Sequence, residues 1–342
     1  MKLIEKRSTA MNSVYYIGID GGGTKTEAIL TDAQGKLLGR ALTSATNPND
    51  VGVETSVTLM SDLVHQLMMQ TGIHPQNVCL FAGISGALNH KDALTNGLRR
   101  AQPTLSQVEI GSDIVNLIYA ELPLGDGACV ICGTGSACFL RCEDQLYRIG
   151  GWGYLLDSAG SGYDFGRMAL EAALKAYDGR GNATLLTEML RQHLGKPVQE
   201  ALSDIYAQGK PYIASCAPLV FKAAAMGDAV AEDLMNVNAK ALAEMIDTAC
   251  RKREDLGRST CAPMPVALGG GINQKEAPAW TERIAKHLTH PDQVSLSVAE
   301  VPMVVGAVLK AMTCHDLAMT PEVYDNCAGA VKKSYAAFIG KA

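Results

Sequence analysis

Short apolar runs alternate along the first third of the chain with longer segments whose apolar side chains recur every three or four positions. The runs have the length of buried strands, and the longer spacing is typical of amphipathic helices. Strands that alternate with helices predict an α/β layer fold with a partly parallel sheet. The predicted strands are Val14–Ile19, Val78–Ile84 and Val108–Asp113, and the predicted helices are Glu54–Gln70, Lys91–Ala101 and Ile114–Leu122.

Helical patterns dominate the second half of the chain. Residues 178–262 are rich in Ala, Leu and Met and have few β-branched runs, which predicts an all-helical insertion. By contrast, residues 39–53 are polar and predict turns. Around the insertion, the predicted helices are Ser161–Tyr177, Met303–Met312 and Pro321–Ile339, and the predicted strands are Pro263–Leu268 and Val294–Val298.

A glycine-rich stretch separates the first two apolar runs. Asp20 is followed by Gly21, Gly22, Gly23, Thr24, Lys25 and Thr26. Strands on either side of such glycines form a hairpin with an almost bare backbone, whose N–H groups can surround a phosphate. The threonine hydroxyls and Lys25 would add donors, and Asp20 would hold Mg²⁺ through water. A plain glycine-rich hairpin is the alternative, and the Walker A pattern is absent.

The same pattern occurs a second time. An apolar run enters Gly133, Thr134, Gly135 and Ser136, and another apolar run leaves them. In both copies a second turn and another apolar stretch follow, with Asp32–Gly35 in the first copy and Asp144-Gln145 in the second. An internal repeat indicates two similar supersecondary units. Two phosphate hairpins therefore predict a nucleotide held in a cleft between two similar domains.

Composition and charge narrow the class of protein. At 342 residues the chain is long enough for two domains, and 47% hydrophobic residues suit a large interior. The net charge of −5 argues against a nucleic-acid surface, and no apolar run is long enough to cross a membrane. The start does not resemble a signal peptide, and residues 1–12 are expected to be a loose extension. Ten cysteines without such a signal point to the reducing cytoplasm.

The motifs together resemble the actin/hexokinase/Hsp70 superfamily. The two hairpins and the late Gly269-Gly270-Gly271 look like its two phosphate motifs and its adenosine motif. Within it, the Gly150–Tyr154 and Ala159–Tyr163 stretches resemble the BadF/BadG/BcrA/BcrD group, which includes N-acetylglucosamine kinase. The resemblance implies two actin-like (ribonuclease H-like) α/β domains with a cleft between them. We expect the first over residues 13–120, completed by a C-terminal helix at about 320–342, and the second over 121–319, with the insertion at about 178–262.

The family resemblance implies an ATP-dependent amino-sugar kinase that uses Mg²⁺, with N-acetylglucosamine, glucosamine or N-acetylmuramic acid as substrate. It also implies a homodimer. ATP would bind at Gly21–Thr26, Gly133–Ser136 and Gly269–Gly271, with Mg²⁺ held by Asp20.

Asp113 is the expected proton acceptor in this reaction. An acid at a strand end, where a helix opens, suits the base that takes a proton from the attacking hydroxyl. The same position also suits an ordinary helix N-cap, for which Asp is a favoured residue.

Six other residues are expected to contact the sugar, each with an alternative role. Asn47 and Ser85-Gly86 are also typical of turns, and Trp152 after Gly151 could be a core aromatic instead of a stacking surface for a pyranose. The family pattern Gly-Asp-Glu-Gly-Ser is replaced here by Asp157, Ser158, Ala159, Gly160 and Ser161. The acidic pair of the pattern is therefore missing, and Asp157 is the acid that could bind sugar hydroxyls in its place. The identity of the amino sugar therefore stays open.

Four cysteines suggest a rival function. Cys129, Cys132, Cys138 and Cys142 have a spacing that thiolate clusters can show, and some BadF relatives are ATPases that activate 2-hydroxyacyl-CoA dehydratases. Strand parity puts Cys129 and Cys132 on opposite faces, which favours buried structural cysteines. A sugar-sensing regulator is a third possibility, which the intact phosphate motifs disfavour.

Overall fold

A computed structural model describes residues 14–123, 125–143, 145–258, 262–275 and 279–339. The expected extension over residues 1–12, and Asp144 of the second predicted turn, lie outside the described residues. The strands are β1 Tyr15–Gly21, β2 Lys25–Asp32, β3 Leu37–Ser44, β4 Val78–Ile84, β5 Gln107–Gly111, β6 Gly127–Cys132, β7 Ser136–Cys142, β8 Gln145–Ile149, β9 Met264–Gly269 and β10 Val294–Val298.

The helices are α1 Pro48–Val51, α2 Val53–Thr71, α3 Lys91–Ala101, α4 Asp113–Glu121, α5 Gly162–Tyr177, α6 Leu186–Leu194, α7 Leu202–Ala214, α8 Ala217–Ala225, α9 Ala229–Asp255, α10 Gly271–Lys275, α11 Ala279–Ala285, α12 Met303–Thr313 and α13 Pro321–Ile339. Every helix predicted from the sequence is present, and α1, α10 and α11 form where no helix was predicted. Among the described residues, no helix combines the length and apolar character needed to cross a bilayer.

The chain divides into two compact units. One combines the chain up to Leu124 with the chain from Glu300 onward, and the other is Gly125–Ala299. Each unit contains a five-stranded sheet, in the order β3-β2-β1-β4-β5 in the first and β8-β7-β6-β9-β10 in the second. In both, the first three strands are antiparallel and the others pair in parallel. The internal repeat predicted from the two glycine turns is therefore confirmed at the level of topology.

The first unit covers its sheet on both faces. Residues alternate between the faces along β1, so Ile17 and Ile19 face the core that α2 and α3 close. Gly18 lies on the other face against the backbone of Val308 in α12. Asp20 shares the parity of Gly18 and therefore lies on the side of α12 and α4.

The helix α12 belongs to a different unit from the one predicted. The predicted second domain ended at residue 319, whereas α12 packs on β1 and α4 and belongs to the first unit. Gly306 in α12 makes this packing possible, because a Cβ there would overlap the backbone of Asn116 in α4. Because α12 follows β10 in sequence, it was assigned to the same domain as β10. Its small residues instead allow it to pack closely on the first sheet.

The second unit contains the predicted helical insertion. Within the described part of residues 178–262, every regular element is a helix, from α6 to α9. Phe165, Phe221 and Trp280 form an aromatic cluster in its core, with ring centroids 4.9 to 5.7 Å apart.

Part of the predicted turn region at residues 39–53 forms a strand instead. Residues 39–44 were expected to be turn-rich, but they continue β3 at the edge of the first sheet. An edge strand that is only partly buried needs no regular apolar alternation, so its pattern is weak.

Candidate active site

The turn of the first hairpin leaves one backbone donor on its open side. The Ser85 N–H donates to the Gly21 carbonyl at 2.8 Å, and the Thr46 N–H donates to the Gly22 carbonyl at 3.2 Å. The C=O and N–H of one trans peptide point in opposite directions. The N–H of Gly23 therefore points away from Thr46, on the open side of the turn.

The side chains of this hairpin divide into exposed and buried ones. Thr24 and Lys25 are exposed. Thr26 is fully buried, and its hydroxyl shares a hydrogen bond of 2.8 Å with the Thr46 hydroxyl. Gly21 lies so close to Thr46 and Ile84 that a Cβ there would overlap both side chains. Thr26 thus fixes the segment after β3 to the hairpin, while Thr24 and Lys25 face solvent.

Asp20, the last but one residue of β1, is partly buried and lies near other acids. The Asn116 side-chain amide donates to Asp20 Oδ1 at 2.7 Å and to the Gly83 carbonyl at 3.0 Å. Burial raises the pKa of Asp20 to about 7; the Asn116 hydrogen bond opposes this, and the charge of Asp113 adds to it.

The donor set at Asp20 fits Mg²⁺. Its second oxygen, Oδ2, makes no hydrogen bond to a residue that the structure describes. A carboxylate oxygen is the ligand that Mg²⁺ prefers, and Mg²⁺ usually keeps several waters. A bound cation would also offset the cost of the buried negative charge.

Asp113 occupies the first helical position of α4, directly after the N-cap residue Ser112. The Ser112 hydroxyl donates to Asp113 Oδ1 at 2.9 Å and the Ile114 N–H donates to it at 3.0 Å. Ser85 also donates a hydrogen bond to this carboxylate. Burial raises the pKa of Asp113, and these three hydrogen bonds lower it again. Asp113 is therefore a half-buried carboxylate at a helix N-terminus, while the N-cap position itself belongs to Ser112.

The predicted sugar-contacting residues of the first unit lie close to Asp113. Asn47 is the N-cap of α1, and its Oδ1 accepts a hydrogen bond from the Asn49 N–H at 3.0 Å. Gly86, with φ +78°, lies against the side chains of Asn47 and Asn49. Since Ser85 precedes Gly86 and bonds Asp113, the structure brings Asn47, Ser85, Gly86 and Asp113 together at the carboxyl ends of β4 and β5.

The second hairpin rests on the first turn of α5. The Gly162 N–H donates to the Gly133 carbonyl at 2.7 Å, and the Tyr163 N–H donates to the Thr134 carbonyl at 3.2 Å. By the same peptide geometry, the N–H groups of Thr134 and Gly135 point away from α5. Neither makes a hydrogen bond to a residue that the structure describes.

Ser136 is the buried member of this turn. It is 6% exposed, and its hydroxyl donates to the Ala159 carbonyl at 2.7 Å. That bond joins the second hairpin to the loop that contains Trp152 and Asp157.

The Gly150–Asp157 loop presents an exposed indole. Trp152 is 62% exposed, and Arg148 lies over its ring, 4.5 Å from the centroid. The Arg148 guanidinium also donates to the carbonyls of Gly150 and Gly151. This exposure excludes the alternative that Trp152 is a core aromatic. The backbone N–H of Trp152 donates a hydrogen bond to Asp157 Oδ2 at 3.5 Å.

The triple glycine lies beside the second hairpin. Gly270, with φ +90°, lies against the backbone of Cys132, the residue before Gly133. Gly271 opens the short helix α10. The buried Asn273 side chain donates to the Gly269 carbonyl at 2.7 Å and accepts a hydrogen bond from Trp280 at 3.0 Å.

Sequence reasoning missed the residues that hold these groups in place. Asn116 follows Asp113 by three positions, a spacing that puts both on one side of a helix. That spacing was an available signal for Asn116. No local pattern pointed to Arg148 or Asn273.

The four clustered cysteines are buried structural residues, as predicted. All four are buried and reduced. Burial raises the pKa of Cys132 to about 12 and raises that of Cys138 as well, which disfavours the thiolate form that a metal requires. Among the described residues, no group of three or more His, Cys, Asp or Glu side chains is placed to bind a metal.

Two curated proteins are clear relatives. The chain is 30% identical over 236 residues to an N-acetylmuramic acid/N-acetylglucosamine kinase of Clostridium acetobutylicum, covering 67% of this chain and 76% of the relative. It is 31% identical over 287 residues to an N-acetyl-D-glucosamine kinase of Dictyostelium discoideum, covering 78% of this chain and 88% of the relative.

A solved structure shares the fold. The similarity to a protein from Chromobacterium violaceum, provisionally described as an N-acetylglucosamine kinase, has a TM-score of 0.69 at 23% identity and covers 88% of this chain and 99% of that one. At this identity the likeness shows the α/β fold alone. The sequence model of the BadF/BadG/BcrA/BcrD ATPase family matches residues 17–311, and this chain belongs to that family.

Proposed function

We propose that this protein is an ATP-dependent amino-sugar kinase. It transfers the γ-phosphate of ATP to a hydroxyl of N-acetylglucosamine or of a related amino sugar, such as glucosamine or N-acetylmuramic acid. The activities of the two curated relatives support this substrate class. The observation that carries the proposal is the half-buried Asp113 carboxylate, which accepts hydrogen bonds from Ser112 and Ser85 at the carboxyl end of the first sheet.

The phosphates of ATP would bind the outward N–H groups of the glycine turns. The N–H of Gly23 points away from Thr46, and those of Thr134 and Gly135 point away from α5. Lys25 adds an exposed positive charge. Adenosine would lie next to Gly270, where a side chain would overlap the backbone. The proposed ATP-binding residues are Gly21, Gly22, Gly23, Thr24, Lys25, Thr26, Gly133, Thr134, Gly135, Ser136, Gly269, Gly270 and Gly271.

Mg²⁺ would be held by Asp20 through water. When bound, it neutralises part of the phosphate charge. Asn116 would keep the Asp20 carboxylate in place through the hydrogen bond at 2.7 Å.

Asp113 would act as the proton acceptor. In its ionised form it takes the proton of the sugar hydroxyl as that oxygen forms a bond to the γ-phosphorus. The bond from phosphorus to the leaving oxygen breaks, and its electron pair departs with ADP. Ser85 and Ser112 hold the carboxylate in one orientation by hydrogen bonds.

Six further residues are proposed to contact the sugar. Asn47, Ser85 and Gly86 offer polar groups near Asp113, and the exposed Trp152 indole, next to Gly151, offers a flat surface for the apolar face of a pyranose. Asp157 would be the acid that binds sugar hydroxyls, since Ser158 and Ala159 replace the family's acidic pair.

A coupled assay for ADP release over a panel of sugars tests the proposed function. The panel contains N-acetylglucosamine, glucosamine, N-acetylmuramic acid and, as a control, glucose. We expect ADP release to depend on at least one of the amino sugars. ATP hydrolysis that no amino sugar stimulates would favour the dehydratase-activator reading.

A substitution of Asp113 tests its role. Asp113→Asn keeps the shape and an acceptor for Ser112 but cannot take a proton at neutral pH. We expect kcat to fall by about 100-fold or more, with ATP affinity unchanged in a binding titration. Turnover close to that of the wild type would remove Asp113 from this role.

We further propose that the protein is a cytoplasmic homodimer. The family resemblance supports the dimer, and the cysteine usage supports the location. Analytical ultracentrifugation would check the dimer, since a monomer at all protein concentrations contradicts it.

A further inference from the structure

Lys210 lies at a break in α7. Gly209 has φ +64° and ψ −144°, which interrupts the helix, and Pro211 follows in the next segment. Such backbone angles favour glycine over other residues. Lys210 therefore stands at the junction of two helical segments.

The segment after the break is packed tightly against α5. A Cβ at Gly166 would overlap the backbone of Ile213, and one at Gly162 would lie 3.6 Å from the Ala214 side chain. The first turn of α5 also carries the second hairpin, because Gly162 donates to the Gly133 carbonyl. One rigid contact thus positions both Lys210 and that hairpin.

The ammonium group of Lys210 lies at the second hairpin. Its Nζ is 3.6 Å from the position that a Cβ of Gly135 would occupy. It is also 5.5 Å from the centroid of the Tyr154 ring, within range of a cation–π contact. The N–H groups of Thr134 and Gly135 point away from α5 at this same turn. A positive charge and two backbone donors therefore occur together.

We propose that Lys210 is a further phosphate-binding residue, which contacts the phosphate oxygens of the nucleotide at the second hairpin. This assignment rests on the proposed function. A lysine ammonium is a compact point charge with three donors, suited to a phosphate. The contact with Tyr154 holds the ammonium at the turn.

Titration calorimetry with MgATP tests the assignment on three variants. Lys210→Met removes the charge and keeps the length of the stem, while Lys210→Arg keeps the charge. Lys222→Ala, on the exposed side of α8, is the control for loss of one positive charge. Since hydrogen bonds to charged groups are the strong ones, we expect the Kd of ATP to rise by about tenfold or more in K210M. The Kd of ATP in K222A should match that of the wild type, and the Kd in K210R should lie between those of the wild type and K210M.

Lysine labelling of the wild-type protein gives a second measurement that needs no variant. An acylating reagent modifies exposed lysines, and mass spectrometry identifies the sites. We expect saturating MgATP to protect Lys210 and to leave Lys222 equally modified, whereas adenosine, which has no phosphate, should protect neither.

Two results would overturn the assignment. If wild-type protein binds ATP and K210M binds it equally well, or if ATP leaves Lys210 labelling unchanged, Lys210 does not contact the phosphates. If the wild-type protein binds no ATP, the proposed function fails and the assignment fails with it.

Discussion

Asp20 is a partly buried acid whose surroundings lower the stability of the folded chain. Its carboxylate lies among other acids, including Asp113 and Glu27, and its pKa is raised from 3.8 to about 7. Because the unfolded chain ionises first, this group lowers stability as pH rises from about 4 to about 7, and the loss is complete above the folded-state pKa. Buried acids with this behaviour are common where function needs a charge.

We therefore expect Asp20→Asn to stabilise the protein and to abolish kinase turnover. The asparagine keeps an oxygen that accepts from Asn116, while the shift from 3.8 to about 7 corresponds to up to about 4 kcal/mol of stability regained above neutral pH. Urea denaturation of both proteins at pH 5 and pH 8 measures this, and the gain should be larger at pH 8. Asp62→Asn, on the exposed side of α2, is the matched control. A less stable D20N at pH 8 would contradict the account.

The hydrogen bonds to Asp113 predict a shift in the pH profile. Proton acceptance needs the ionised form, so kcat/KM should fall as pH falls through the pKa of Asp113, which burial raises above 3.8. The Ser85 hydroxyl stabilises that ionised form. Ser85→Ala should therefore move the acid limb to higher pH, while Ser85→Thr, which keeps a hydroxyl, should restore it. A limb that stays in place in S85A would show that this hydrogen bond does not affect the ionisation.

Elements with a strong period were predictable, and contacts between elements were not. The apolar spacing along α2, α3 and α5 predicted these helices within a few residues. Glycine turns were also visible, since Gly21–Gly23 and Gly133–Gly135 are local signals. Only part of the edge strand β3 was predicted, because few of its residues are buried.

The partners that position the site arise from tertiary packing. Asn116 bonds Asp20, which is 96 positions away in sequence, and Lys210 reaches Gly135 only because α7 breaks and packs on α5. α12 follows β10 in sequence, yet it packs in the first unit on Gly18. No local pattern encodes such pairings, which depend on small residues that permit close backbone approach.

The contact between α12 and α4 predicts a large difference between two Gly→Ala substitutions in helices of one unit. A Cβ at Gly306 would overlap the backbone of Asn116, whereas Gly329 in α13 has open space around its Cα. We expect G306A to destabilise by about 1–3 kcal/mol or more, and G329A to be neutral or to stabilise by about 0.5–1 kcal/mol through helix propensity. Thermal unfolding measures both. An equal change in stability in the two variants would mean that α12 can move away from α4 without a loss of stability.

At the scale of the whole molecule, each unit has its own sheet and its own core. Proteins built from such units often unfold in more than one step. Both tryptophans of the sequence, Trp152 and Trp280, belong to the second unit, and Trp280 is 1% exposed in its core. Tryptophan fluorescence therefore reports on the second unit, while calorimetry reports on both.

This asymmetry predicts that two matched variants respond differently to the two probes. Gly306→Ala crowds the first unit, so it should lower a calorimetric transition and leave the fluorescence transition in place. Gly166→Ala crowds the contact of α5 with Ile213 in the second unit, so it should lower the fluorescence transition. If both variants shift both probes equally, the chain unfolds as one cooperative unit, and the two cores do not separate in stability. If the fluorescence transition shifts in G306A and not in G166A, then G306A does not act by disturbing the packing of α12 on the first unit.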